Sequence, residues 1–139
     1  MTTALKDNQK FEGTLSQGTA YGALANLKSV TAEITCSGAS SSASNLIPAG
    51  AFVLGVTARV ITAITGASAF TIGDGSDADK WGAGIALTAG TTTTGAAFTA
   101  GPSHYAAATS VVLTATTSSF TAGKVRVTVH YIDFTAATA

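Results

Sequence analysis

Apolar and polar residues alternate most cleanly over residues 124–134, KVRVTVHYIDF, where Val125, Val127, Val129 and Tyr131 interleave with Arg126, Thr128, His130 and Ile132. A period of two places the first set on one face of a strand and the second on the other. The valine face is expected to be core, which turns Arg126 and His130 outward, to solvent or to a neighbouring subunit. The same period recurs over 111–116, with Val111, Leu113 and Ala115 inward, and over 30–36, with Val30, Ala32, Ile34 and Cys36 on one side. Residues 52–64 read as one long strand or a bent pair, with Leu54, Val56, Ala58 and Val60 sharing a face. A turn at 66–68 then leads into a strand over 69–72. Residues 120–123, FTAG, are expected to turn the chain into its final strand, making a hairpin of the last two. Residues 37–45 read as a Gly/Ser/Ala loop, and 47–50, IPAG, as a turn.

Helical signals are weak, because Ala is interleaved with Thr and Gly rather than spaced at three and four. Residues 21–27 have room for one or two helical turns, but the only nearby cap is Thr19, followed three residues later by Gly22 instead of the Glu or Gln of a capping box. Short strands separated by Gly-, Ser- and Thr-rich turns predict an all-β fold, an antiparallel β-sandwich or a jelly-roll-like domain. The expected organisation is an extended N-terminal arm over 1–27, ordered by a partner, then a sandwich domain over 28–134 and a flexible tail over 135–139.

Composition sharpens this picture. Only 14 of 139 residues are Asp, Glu, Lys or Arg, whereas Ala, Thr, Ser and Gly together supply 80. A solitary soluble domain carries roughly 25% charged residues. So neutral a chain points to a surface covered by other protein, hence to an assembly subunit. Seven basic residues balance seven acidic ones, with no Lys/Arg cluster, so nucleic acid is not an expected partner. Disorder is disfavoured too, because hydropathy is not low and net charge is zero. The mostly apolar stretch 46–65 is interrupted by Pro48 and Arg59 and is rich in Val, Ile and Thr, which favours strand over a membrane helix. No membrane partner is expected. The first ten residues lack an apolar signal-peptide core, and Cys36 is the only cysteine, so synthesis in a cytosol without intrachain disulfides is the expectation.

Candidate chemistry is sparse. The loop 73–82, GDGSDADKWG, holds three of the seven acids, and Asp74, Asp77 and Asp79 could offer oxygens to Ca²⁺. Counted from Asp74, however, the EF-hand positions 3, 5, 6 and 12 fall on Ser76, Ala78, Asp79 and Ile85, so that pattern fails. A solvated loop built on Asx turns is the simpler expectation. Trp81, flanked by Lys80, either stacks on a sugar beside Asp77 and Asp79 or anchors a core or a subunit contact. His104 and His130 have neither a nucleophile elbow nor a third metal ligand, and Asp133 falls on the face opposite His130. Cys36 lies on an apolar face as a small hydrophobe. No phosphate-binding glycine motif follows Gly82 and Gly84. No catalytic residue, cofactor or enzyme activity is expected.

Three stretches carry a resemblance: 47–60, IPAGAFVLGVTARV; 70–82, FTIGDGSDADKWG; and 120–131, FTAGKVRVTVHY. In this order they resemble a β-rich module of virion proteins in tailed bacteriophages and related gene-transfer particles, found in head-decoration, spike or fibre components. The resemblance covers roughly residues 46–134 and is structural, with no active site to carry over. It implies a capsid-decoration (cement) protein on the virion surface, made in the host cytoplasm, homotrimeric, with the major capsid protein as partner. Residues 1–27 and the loop 83–100 are the expected contact regions. Two other readings remain open at this point. One is a tail-fibre, spike or baseplate module binding a host glycan through Trp81, Asp77 and Asp79; the other is a cellular carbohydrate-binding module.

Overall fold

A computed structural model describes residues 15–18, 21–93 and 101–138. Among these residues eight strands follow one another: β1 (Leu15–Gly18), β2 (Leu24–Thr35), β3 (Ser40–Ile47), β4 (Phe52–Gly73), β5 (Gly82–Ile85), β6 (Thr92–Thr93), β7 (Ser103–His104) and β8 (Thr109–Thr135). Every pairing is antiparallel, and the described residues contain no helix. The expected all-β antiparallel architecture is therefore the observed one, but its strands are longer than the turn signals suggested.

β4 and β8 make the fold. A straight strand of 27 residues would span about 90 Å, more than twice the roughly 40 Å diameter of a compact domain of this size. Both strands must therefore bend, and they bend together. Their register runs from Phe52↔Ile132 to Gly73↔Val112 and is broken between Val60 and Ala67 on β4. The bend on β8 carries Thr117 and Ser118 at φ 55° and 71°. It ends at Gly123, whose φ of 128° and whose approach to Ile64 leave no room for a side chain: a Cβ there would lie 2.7 Å from the Ile64 Cα. The turns expected at 66–68 and 120–123 are thus corners within continuous strands. Strands that switch layers through bulges are how a sandwich turns its corners.

Each half of this ribbon gains its own neighbours. β2 flanks the C-terminal half of β8, from Leu24↔Thr135 to Thr35↔Lys124, and β1 extends that layer outside β2. β3 flanks the N-terminal half of β8, while β5 joins the C-terminal end of β4. The segment 37–45, expected to be loop, therefore lies largely in β3. Pairing to Val111, Val112, Leu113 and Thr114 overrides the weak strand propensity of its serines. β2 also begins at Leu24, inside the arm expected over 1–27, and no helical turn forms over 21–27. Residues 1–14 and 19–20 of that arm lie outside the described residues. Over the expected flexible tail, the Thr138 amide donates to the Tyr21 carbonyl at 2.8 Å.

One apolar core lies between the two halves. Val125, Val127 and Val129 are fully buried, as are Val111 and Leu113, and Ile34 and Cys36 join them; of the rest of the inward set read from alternation, Val30, Ala115 and Tyr131 are half-buried against this core. One phase is reversed. Leu54 is the extra residue between the pairs Val53↔Tyr131 and Gly55↔His130. That bulge puts Val53 in the core at 1% exposure and leaves Leu54 half-buried. Among the described residues no polar or charged residue is buried. Residues 46–65 complete β3 and supply over half of β4, and no described helix is long and apolar enough to cross a membrane.

Candidate functional site

The acidic loop between β4 and β5 is closed upon itself. Its base is Gly73, where a side chain would collide with the backbone of Asp77 and Ala78. The Asp74 Oδ1 accepts the amides of Ser76 at 3.0 Å and Asp77 at 2.9 Å, an Asx turn. Its Oδ2 accepts the Lys80 ammonium at 3.1 Å and the Tyr105 hydroxyl at 2.8 Å. Burial works to raise the Asp74 pKa, but the Asp77 amide, Tyr105, Lys80 and the Ser76 amide together hold the carboxyl down at about 2. Lys80 also lies 5.6 Å from the Trp81 ring centre and 5.1 Å from that of Tyr105, within cation–π range. Burial disfavours its charge, yet the bonds to Tyr105 and Asp74 prevail and its pKa is raised.

This geometry answers the questions raised by the loop sequence. The Asp74 carboxylate is fully engaged by protein donors, whereas Asp77 and Asp79 are exposed, and the Asp77 Oδ1 accepts the Asp79 amide at 3.3 Å. Ca²⁺ needs six to eight converging oxygens. Among the described residues no group of three or more His, Cys, Asp or Glu is assembled to hold a metal. The arrangement around Asp74 is the Asx turn expected of this loop, with Lys80 and Tyr105 added to lock it. Trp81 is 1% exposed and its amide donates to the Ile72 carbonyl at 2.9 Å. Its ring faces Tyr105 at 6.3 Å. Of its two expected roles, core anchoring is the observed one, and its face is closed to a sugar.

Arg126 and His130 lie on the outer face of the layer formed by β2, β8 and β4. His130 bonds the Thr57 hydroxyl at 2.9 Å, while Asp133 is paired with Lys28 at 3.0 Å. His104 sits on β7 opposite Phe52. A charged row crosses the face: Glu33 on β2, Arg126 on β8 and Arg59 on β4 are in register, with Thr92 of β6 beyond. Glu33 takes both Lys124 and Arg126 at 3.3 Å, and these partners, Lys124 foremost, lower its pKa. A cleft of about 210 Å³ opens here, lined by Thr57, Arg59, Thr92, Thr93, Arg126 and Thr128.

The other end of this face is apolar. Leu27, Ile132 and Phe52 lie in register across β2, β8 and β4, and Phe134 meets Phe52 edge-on at 6.1 Å. Leu27 and Phe134 are 49% and 61% exposed. Sequence reasoning did not single out this patch, although the signal was present in Ile132, an apolar residue on the otherwise polar face of its strand.

No family description and no curated protein matches this chain. Its fold is similar to that of a solved chain from the cyanophage Pam1 capsid asymmetric unit, with a TM-score of 0.54 and 21% identity. The likeness covers 96% of this chain and 99% of the other. The class defined by the fold is thus an all-β antiparallel domain whose architecture also occurs in a phage capsid.

Proposed function

We propose that this chain is a structural protein of a phage virion, a capsid-decoration (cement) protein that stabilises the head through subunit contacts and performs no catalysis. The observation that carries this reading is the likeness, over nearly the whole of both chains, to a component of a cyanophage capsid. Two features of the chain support it. Charge is confined to 14 residues, and Leu27, Ile132, Phe52 and Phe134 form an apolar end on an outer sheet face. Exposed apolar patches of this kind mark protein contacts. The proposed partners are further copies of the chain, as a trimer, and the major capsid protein. Removal of apolar surface from water, at about 25 cal/mol per Å², would supply the stabilisation. The glycan-binding alternative loses its stacking platform, because Trp81 is buried.

Particles assembled with and without this chain provide the test. Decorated heads are expected to release DNA at a higher temperature than bare heads, and Leu27→Asp with Phe134→Asp should reduce binding to bare heads at least tenfold. Equal release temperatures for bare and decorated heads would overturn the reading.

A further inference from the structure

In a chain with so few charges, the unpaired ones are informative. Among the described residues Lys28 pairs with Asp133, Lys80 with Asp74, and Lys124 and Arg126 share Glu33. Among the described acids none pairs with Arg59, and among the described bases none pairs with Asp77 or Asp79. Arg59 and Arg126 also stand directly opposite each other on β4 and β8. Like charges in that relation destabilise a sheet; Glu33 offsets Arg126 from the β2 side, and an anion in the cleft would offset Arg59 from the β4 side. Guanidinium groups are suited to this task because their planar fork matches a carboxylate. Thr57, Thr92 and Thr128 line the same cleft and bring no negative charge to it, the Thr57 and Thr128 hydroxyls being already bonded to His130 and Thr31.

Asp77 and Asp79 cannot reach this cleft within their own chain. Tyr105, which holds the acidic loop through Asp74, is bonded to the Ala51 carbonyl at the start of β4. Ala51 and Arg59 are eight residues apart, about 25 Å along an extended strand. Asp77 and Asp79 can therefore meet Arg59 only between molecules. We propose that the Arg59/Arg126 cleft receives the Asp77/Asp79 loop tip of a second copy of this chain. The loop is suited to the part: the Asp74 lock keeps its backbone rigid, and Asp77 and Asp79 project from it exposed. Donor and acceptor surfaces differ, so the contact is head-to-tail, and each copy can give one contact and accept one, as a closed ring requires. Exposed ion pairs add little affinity alone. Here they set orientation and register, while the uncharged Thr- and Ala-rich surface supplies area.

The inference rests on reading the chain as an assembly subunit, and its test separates the two claims. The full chain is purified and its mass measured by light scattering at low and at 1 M salt, beside Arg59→Glu, the double variant Asp77→Lys/Asp79→Lys, and the combination of all three. Circular dichroism and melting confirm folding, and Arg59→Gln replaces Arg59→Glu if the latter fails to fold. Wild type should be oligomeric and weakened by salt, because screening shortens from about 10 Å to 3 Å between 0.1 and 1 M. Each one-sided reversal should weaken association at least tenfold, and the combined reversal should restore it. A wild type that is monomeric at every concentration, or an oligomer indifferent to both reversals, overturns the contact. If Arg59→Glu instead impairs only attachment to bare heads, the occupant is another virion chain: this inference fails and the proposed function stands. A charge-dependent oligomer that leaves head stability unchanged upholds the contact and removes the cement function.

Discussion

The Tyr105 hydroxyl donates to the Asp74 carboxylate at 2.8 Å and so joins the segment after β7 to a loop 31 residues earlier. A hydrogen bond to a charged, largely buried acceptor is worth about 1.5–3 kcal/mol. Tyr105→Phe keeps the ring against Trp81 and removes the hydroxyl that bonds Asp74 and Lys80. Urea unfolding should show a loss within that range, with an unchanged slope against denaturant.

Acid should act through the same carboxylate. In the folded chain the Asp74 pKa is lowered to about 2 from 3.8. The unfolded chain therefore takes up the proton first as pH falls. The stabilisation is complete above about pH 4 and is lost as pH drops from there through 2. Asp74→Asn should flatten the dependence of stability on pH in that window, as read by urea titrations from pH 5 to 2.

The bulge at Leu54 makes a prediction opposite to simple alternation. Val53 is enclosed and Leu54 only half-buried. Val53→Ala should cost about 2 kcal/mol and Leu54→Ala less, although leucine loses the larger side chain. Equal costs, or a greater cost at Leu54, would contradict the register of β4 on β8.

Gly123 marks the corner of β8. Its φ of 128° is unfavourable for an L side chain, and a Cβ there meets Ile64. Gly123→Ala should lower stability by about 1–3 kcal/mol, measurable as a drop in Tm. Ala122→Gly, one position earlier on the exposed side, should change it far less.

Trp81 is the chain's only tryptophan and is buried. Its emission should therefore be blue-shifted in the native state and move to the red on unfolding. Trp81→Ala should cost about 3–5 kcal/mol, a large part of the 5–15 kcal/mol that holds a typical domain together. Thermal unfolding followed by circular dichroism would record it.

The acidic loop was only half legible in the sequence. Asp74, Asp77 and Asp79 were visible as a cluster, and the spacing from Asp74 to Ser76 and Asp77 already suggested an Asx turn. Nothing local showed that Asp74 would point inward while its two neighbours pointed out. That depends on Tyr105, brought close by the pairing of β7 with the start of β4. The same applies to Arg59, which became notable only when β4 placed it opposite Arg126.

Short stretches of residues are enough to fix the strand class, the valine faces of β8 and the turn at 47–50, where the Ala51 amide closes on the Pro48 carbonyl at 3.2 Å. These follow from local chemistry, because a period of two and a Pro–Gly turn need no distant partner. Long-range packing is what carries β4 and β8 on through their expected turns, makes a strand of the β3 serines and slips the phase of β4 at Leu54. Each of these is a matter of register between segments far apart in the chain. Such register is set by cross-strand pairing and by the closing of one core, and neither is written in any short stretch of residues.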